Sequence, residues 1–185
     1  MSSPRSLKGE YRMSPAFHQV QTAASCTICL RMMDIMDSQT RSKVMSRIRG
    51  RDTKPELLLR RSLHACGFRF RLCQSGLPGS PDIVLRKWNA VIFVHGCFWH
   101  RHSDCRYAAT PKSRPEFWLS KFETNVARDR AAQLALRREG WRVAVVWECA
   151  LKVDAERAAT ELIGWLTTEP AKDFVEVERL EDSQL

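Results

Sequence analysis

The sequence has no long apolar run and no hydrophobic block at its start. No stretch approaches the roughly 18 consecutive apolar residues of a membrane span, and the mean hydropathy is -0.36. Pro4, Arg5, Lys8, Glu10 and Arg12 interrupt the first residues, so the apolar segment of a secretory signal is missing. We therefore expect a soluble, intracellular protein that has no contact with membranes.

Basic residues far outnumber acidic ones outside the C-terminal end. The net charge is +9, and the 30 basic residues comprise 22 arginines and 8 lysines. Residues 169–185 hold six acids and two bases and so carry −4, which leaves +13 for residues 1–168. Guanidinium groups suit bidentate contacts to phosphate and guanine. A basic body rich in arginine predicts a nucleic-acid partner; the alternative is a set of solvated basic faces without a partner.

The chain length of 185 residues fits one domain with tails. Residues 1–34 show no clear periodicity, so we predict a poorly ordered N-terminal extension over 1–35, a folded domain over 36–168 and an acidic C-terminal tail over 169–185. Seven cysteines in an intracellular chain favour thiols or metal ligands over disulfides. Cys26 and Cys29 form a CxxC pair, but no second close pair accompanies them, and we expect them to bind no metal.

Hydrophobic periodicity and capping signals predict an α/β fold. Thr53 is a suitable N-cap for a helix with Pro55 and Glu56 in its first turn and a stop at Gly67. Further predicted elements are strands over 68–72, 82–85, 90–94 and 142–147, and helices over 116–139 and 155–166. Strands that alternate with helices in this order are typical of α/β proteins.

Asp82 and the histidines near residue 95 are the candidate catalytic groups. Asp82 follows a Pro-Gly-Ser-Pro turn and opens a short apolar strand, while His95 ends the next strand and His100 follows five residues later. If the two strands are antiparallel neighbours, Asp82 and His95 meet at one end of the sheet. A carboxylate can hold a hard divalent cation there, and an imidazole can transfer protons near neutral pH. The alternative for Asp82 is a turn-capping role.

A second group of residues has the chemistry of a zinc site. Cys97, His102 and Cys105 lie within nine residues, and Cys149 ends the next long strand. Thiolates and imidazole in a tetrahedral set suit zinc, and four protein ligands leave no open position, so the ion would be structural. Scattered buried cysteines are the alternative.

Aromatic residues accompany these candidate sites. Phe98 and Trp99 lie between Cys97 and His100, and Trp118 begins the long helix. Aromatic side chains beside a basic surface can wedge between base pairs, although each could instead cap the hydrophobic core. Asp129 lies further along that helix, either as a group of the site or as a partner for neighbouring arginines.

The chain closely resembles the very short patch repair (Vsr) endonucleases, bacterial enzymes that nick DNA beside a T:G mismatch. The resemblance spans about residues 38–166. Its matching segments are Thr40–Met45, Leu77–Asp82, Val91–His100, Glu116–Trp118, Asn125–Asp129, Gly140–Val143 and Trp147–Cys149.

The resemblance implies a restriction-endonuclease-like fold, in which helices flank a central mixed β-sheet, together with a structural zinc site. It also implies a role for each matching residue. The implied catalytic residues are Asp82, His100, His95, Asp129 and Glu56, with Mg²⁺ held by Asp82 and the backbone carbonyl of Val94. The implied zinc ligands are Cys97, His102, Cys105 and Cys149, and the implied DNA-binding residues are Phe98, Trp99, Trp118, Met45 and Lys121.

The expected activity is Mg²⁺-dependent nicking of double-stranded DNA 5′ of the T in T:G mismatches that arise when 5-methylcytosine deaminates. The resemblance implies a functional link to a cytosine-5 DNA methyltransferase and to mismatch-repair proteins, in a monomeric enzyme of the bacterial cytoplasm associated with the nucleoid. One alternative is a sequence-specific restriction-type nuclease of the same fold. The other is a zinc-stabilised DNA-binding protein without catalysis. Metal-dependent nicking of one strand distinguishes the three.

Overall fold

The computed structural model describes residues 39–40, 43, 50–112, 114–168 and 172–179. All of them belong to the unit Met36–Leu185, one of the two units into which the chain divides. The helices are α1 (Lys54–Ala65), α2 (Cys97–His100), α3 (Pro115–Arg138), α4 (Glu148–Val153) and α5 (Ala155–Thr167). The strands are β1 (Arg71–Leu72), β2 (Ile83–Leu85), β3 (Ala90–His95), β4 (Arg142–Trp147) and β5 (Phe174–Val177).

The five strands of the described residues form one mixed sheet in the order β1-β2-β3-β4-β5. β1, β2 and β3 are antiparallel neighbours, whereas β4 runs parallel to β3, and β5 runs parallel to β4. The register pairs Ile83 with Ile92 and His95 with Trp147. The beginning of β2 and the C-terminal ends of β3 and β4 therefore lie at the same end of the sheet. The predicted site residues lie at this end.

Alternation along the strands supplies a core on each face of the sheet. Ile83 and Ile92 pack with Leu59 of α1 and Leu162 of α5 on one face. On the other face, Val84, Val91 and Phe93 pack with Leu136 of α3. Helices thus cover both faces, and the predicted α/β architecture with a mixed sheet is confirmed. None of the helices described is long and apolar enough to cross a membrane.

Local signals explain where the helices begin and end. Thr53 and Glu56 form a capping box at the start of α1. Pro115 is the first residue of α3. Gly140, shortly after the end of this helix, has a positive φ of 86°, as is common where a helix stops. Gly79 lies in the loop before β2, and a Cβ there would come within 2.6 Å of the Cβ of Ala132. The loop that carries Asp82 can therefore approach α3 only with glycine at this position.

Four elements differ from the sequence prediction, and two of them are the short helices α2 and α4, which were not predicted. The strand predicted over 68–72 pairs only at Arg71 and Leu72, because Phe68 instead closes α1 by donating its N–H to the carbonyl of Leu63 (3.0 Å). β5 was not predicted, since its four residues lie in an acidic stretch and gain their strand structure from pairing with β4. The predicted acidic tail thus contributes a strand to the sheet, while the domain limits themselves stay a prediction.

Candidate active site and metal centre

Asp82 lies directly before β2, with its carboxylate against the end of β3. Its Oδ2 accepts a hydrogen bond from the N–H of Val94 at 2.7 Å, as the antiparallel register of β2 and β3 permits. Burial raises the pKa of Asp82 from an ordinary 3.8 to about 6; the Val94 bond opposes this rise, and the nearby Glu56 carboxylate adds to it. The ionised carboxylate is therefore poorly compensated by its protein surroundings, as expected of a group that binds a cation.

The end of the sheet that carries Asp82 also holds a cluster of three polar side chains, those of His95, His100 and Asp129. The His100 Nδ1 lies 2.5 Å from the Asp129 Oδ2, and the rings of His95 and His100 stack with centroids 3.9 Å apart. Burial raises the pKa of the Asp129 carboxyl, but the His100 hydrogen bond and the nearby positive charges together outweigh this, and the net shift of the pKa is downward. Asp129 is thus an anion that orients His100.

His95 is held neutral by its position. Burial lowers its pKa from 6.5 to about 3, and the charge of the neighbouring His100 acts in the same direction. A neutral imidazole stacked on His100 can accept or donate hydrogen bonds but carries no positive charge near pH 7.

Glu56 is only 4% exposed, and its carboxylate accepts several hydrogen bonds. It accepts hydrogen bonds from the N–H of Asp52 (3.0 Å), the hydroxyl of Thr53 (2.8 Å) and the guanidinium of Arg60 (2.7 Å). These contacts cap α1 and hold the negative charge near Asp82, which raises the pKa of Asp82. A catalytic role for Glu56 stays a prediction, and the observed contacts are those of a group that shapes the field of the site.

The predicted catalytic residues line one open cleft of about 1030 Å³. Its lining includes Glu56, Asp82, Val94, His95, His100, Asp129, Phe98 and Trp99. Four segments distant in sequence, around Glu56, Asp82, Val94–His100 and Asp129, thus converge on one cavity at this end of the sheet.

Phe98, Trp99 and Trp118 form an aromatic cluster, and its members Phe98 and Trp99 line this cleft. The Phe98 ring centroid lies 5.0 Å from that of Trp99 and 5.5 Å from that of Trp118. The cluster rests on Phe122, which is buried and 5.1 Å from Phe98. Each of the three predicted aromatic residues is half-buried, so their packing leaves part of each ring at the surface.

The other predicted DNA-binding residues differ in what the structure describes. Lys121 is exposed on α3, three residues after Trp118. Met45 lies outside the described residues, as do Cys26 and Cys29.

Cys97, His102, Cys105 and Cys149 form a compact second cluster, and their ligand atoms all lie within 4.8 Å of one another. The His102 Nδ1 is 3.3 Å from the Cys149 Sγ and 3.7 Å from the Cys97 Sγ. Ligands about 2.0–2.3 Å from a tetrahedral zinc ion are about 3.3–3.8 Å from one another. The four side chains therefore have the chemistry and the spacing of a tetrahedral metal site.

A hydrogen bond between the Cys97 and Cys149 thiols shifts their pKa values in opposite directions. A hydrogen bond from Cys97 lowers the pKa of Cys149, with the N–H of Arg179 and the charge of His102 acting in the same direction. The same bond to Cys149, together with burial, raises the pKa of Cys97. The cluster thus holds one thiolate readily and retains protons that a bound cation would displace.

Sequence reasoning missed several residues that support the two sites. Glu148 accepts the N–H of Cys97 at 3.0 Å, and Asn125 donates to the carbonyl of Trp99 at 3.3 Å. Trp147 stacks on His102 with centroids 4.2 Å apart. Asn125 was detectable, because it lies one helical turn before Asp129, whereas the contacts of Trp147 and Glu148 depend on long-range packing.

Comparisons with known proteins find relatives among DNA mismatch endonucleases and type II nicking enzymes. The family model of the DNA mismatch endonuclease Vsr matches residues 33–107. The DNA mismatch endonuclease Vsr of Escherichia coli is 42% identical over 151 residues, which cover 80% of this chain and 96% of that protein. A type II nicking enzyme of Xanthomonas oryzae is 49% identical over 120 residues (65% of this chain, 88% of the relative), and one of Neisseria meningitidis is 46% identical over 121 residues (65% and 86%).

The sheet-edge carboxylate, the histidine pair and these relatives together define a DNA endonuclease with the restriction-endonuclease-like α/β fold. Within that class, the chain belongs to the family of Vsr DNA mismatch endonucleases.

Proposed function

We propose that this protein nicks one strand of double-stranded DNA 5′ of the T in a T:G mismatch. The observation that carries the proposal is the placement of Asp82 in the same cleft as the His100–Asp129 pair and beside the aromatic cluster. One cavity thus holds an acid for metal binding, a group for proton transfer and rings that can select a distorted duplex.

His100 is the proposed catalytic acid or base. Asp129 fixes its Nδ1 at 2.5 Å, so the ring presents its second nitrogen, Nε2, for proton transfer with the attacking water or the leaving oxygen. His95 stacks on His100 and stays neutral. We assign His95 the role of holding the His100 ring in place and donating a hydrogen bond without adding charge.

Mg²⁺ is the proposed catalytic cation, held by the Asp82 carboxylate and the backbone carbonyl of Val94. The residues fit this ion, because Asp82 supplies a hard oxygen ligand whose charge is buried and poorly compensated. When bound, the ion supplies positive charge to the scissile phosphate and to water beside it. Glu56 lies close enough to affect the charge of Asp82 and is proposed to support the same site.

Zn²⁺ is the proposed structural ion of the cysteine–histidine cluster. Cys97, His102 and Cys149 are buried and Cys105 is half-buried, so the four ligands leave no position open to substrate. Since Cys97 begins α2 and His100 ends it, the ion would fix the helix that carries Phe98, Trp99 and His100. We therefore assign it stability and positioning rather than chemistry.

The aromatic cluster is the proposed mismatch reader. Prying open a base step costs a few kcal/mol and less at a weakly paired site, so a T:G duplex opens more easily against Phe98, Trp99 and Trp118 than a matched one. Lys121 follows on the exposed side of α3 and is proposed to contact phosphate, and Met45 is proposed to enter from the opposite groove.

A T:G mismatch arises when 5-methylcytosine deaminates, so the proposed substrate links the enzyme to a cytosine-5 DNA methyltransferase and to mismatch repair. We propose that it acts as a monomer in the bacterial cytoplasm, on the nucleoid. The names of the nicking-enzyme relatives support an association with methylation systems.

A nicking assay on end-labelled duplexes tests the proposal. Wild-type protein with Mg²⁺ should nick the T strand of a T:G duplex, whereas Asp82→Ala should bind that duplex without nicking it. Asp173→Asn, a change of an exposed carboxylate far along the chain, is the matched control and should nick normally. Cleavage of both strands of a matched duplex would identify a restriction-type nuclease instead. Binding without any nicking by the wild type would identify a non-catalytic DNA-binding protein.

A further inference from the structure

Two glutamates at the end of β5 contact the side chains that support the metal cluster. Glu176 and Glu178 alternate along an extended chain, so their side chains point to the same face. The Glu176 Oε1 accepts the indole N–H of Trp147 at 2.6 Å. The Glu178 Oε1 lies 3.5 Å from the Nε2 of His102. The two contacted rings stack on each other, with centroids 4.2 Å apart and planes 13° apart.

The two nitrogen atoms of the His102 ring face different partners. Its Nδ1 faces the Cys97 and Cys149 thiols, and its Nε2 faces Glu178. His102 is only 8% exposed, so the partner of Nε2 decides which nitrogen carries the proton. A carboxylate at Nε2 favours a proton there and leaves the Nδ1 lone pair free for a metal.

We propose that Glu178 and Glu176 are positioning residues of the metal cluster: Glu178 holds His102 in the ligating tautomer, and Glu176 holds Trp147 as the surface on which that ring stacks. The inference rests on the proposed metal site and extends it to a strand that no matching segment of the family resemblance includes. The C-terminal strand is then the outer wall of the metal centre.

The backbone around Glu178 is fixed by independent contacts. The Arg157 guanidinium donates to the carbonyl of Glu178, and the N–H of Arg179 bonds to Cys149. The Glu178 side chain itself is 52% exposed, so it can be replaced without leaving a cavity in the core.

The same residues connect the metal cluster to the proposed catalytic histidines. Trp147 contacts the ring of His95 edge-on, with centroids 5.4 Å apart, and His95 stacks on His100 at 3.9 Å. Trp147 therefore lies between His102 and His95. Glu176 contacts the ring that touches both histidines, whereas Glu178 contacts His102 directly.

Zinc release to a chromogenic chelator tests the inference with a readout other than activity. Glu178→Ala should speed zinc release by about 10–100-fold, because losing an outer partner of a ligating histidine lowers metal affinity by about that factor. Glu178→Gln keeps an acceptor oxygen and should recover most of the retention. Glu123→Ala, an exposed glutamate on α3, is the matched control and should release zinc at the wild-type rate. Glu176→Ala should also speed release, and by less than Glu178→Ala.

The results distinguish a failure of the proposed metal site from a failure of the proposed role of Glu178. A wild-type protein purified without zinc would refute the proposed metal site. A wild type that retains zinc, with a folded Glu178→Ala that releases it no faster than Glu123→Ala, would overturn only the role of Glu178. If Glu178→Ala does not fold, the comparison of Glu178→Gln with Glu178→Asp decides: the role requires that shortening the carboxylate speeds release more than neutralising it does.

Discussion

The buried charge of Asp82 predicts that Asp82→Asn stabilises the protein when Mg²⁺ is absent. The substitution keeps an oxygen that can accept the Val94 N–H and removes only the charge. A carboxyl whose pKa rises from 3.8 to about 6 on folding costs about 3 kcal/mol of folding free energy at pH 7, since each pH unit is worth about 1.4 kcal/mol. Solvent in the open cleft screens part of this charge, so we expect about 2 kcal/mol to be measured.

The sign follows from the pKa values. Below the unfolded value of 3.8, Asp82 is protonated in both states and costs nothing. As the pH rises from 3.8 to about 6, the unfolded state releases the Asp82 proton while the folded state keeps it, so the wild type loses stability relative to Asp82→Asn. Above pH 6 the buried group is ionised in both states and the difference levels off. The assay is urea unfolding followed by tryptophan fluorescence from about pH 4 to pH 8, in Mg²⁺-free buffer without a chelator that would strip zinc.

Asp173→Asn provides a control of opposite sign. A hydrogen bond from Arg137 holds the pKa of the exposed Asp173 below its ordinary value, so its contribution to stability is present above pH 3.8 and is lost as the pH falls. The advantage of Asp82→Asn should grow between pH 4 and pH 6, whereas Asp173→Asn should be less stable than the wild type by an amount that changes little from pH 4 to pH 8. An Asp82→Asn difference that stays constant within about 0.5 kcal/mol across the range would refute the reasoning.

Three further predictions concern the histidine pair, the metal cluster and the aromatic cluster. The burial that lowers the pKa of His95 to about 3 favours its neutral form, so its NMR signals should not titrate between about pH 5 and pH 8; a midpoint near 6.5 would contradict this. Cys105→Ser should lose the single bound zinc and have a lower Tm. Cys66 is an exposed cysteine outside the cluster, so Cys66→Ser should keep its full zinc content in metal analysis. Equal zinc contents in the two variants would refute the ligand set. Trp99→Ala should weaken T:G binding by about 1–3 kcal/mol and change matched binding little, whereas Phe122→Leu should lower the Tm and keep the preference; an unstable Trp99→Ala with an intact preference would show that Trp99 only fills the core.

The sequence predicted the meeting of Asp82 with the end of β3, because two short apolar strands joined by a turn are typical of an antiparallel pair. It also predicted the compact metal cluster, since three of the four ligands are close in sequence. The pairing of His100 with Asp129 was left open, because a carboxylate on a helix has many partners within reach. The role of the C-terminal strand was missed, since nothing local in Phe174–Val177 indicates that it pairs with β4 or that glutamates beside it reach Trp147 and His102.

The most direct test of the central claim is single-turnover nicking with each strand labelled separately. Wild-type protein with Mg²⁺ should cut the T strand of a T:G duplex immediately 5′ of the mismatched T. The G strand should stay intact, and the matched duplex should be cut far more slowly. Equal rates on matched and mismatched duplexes, or cuts in both strands, would contradict the assignment of this cleft to strand-specific mismatch nicking.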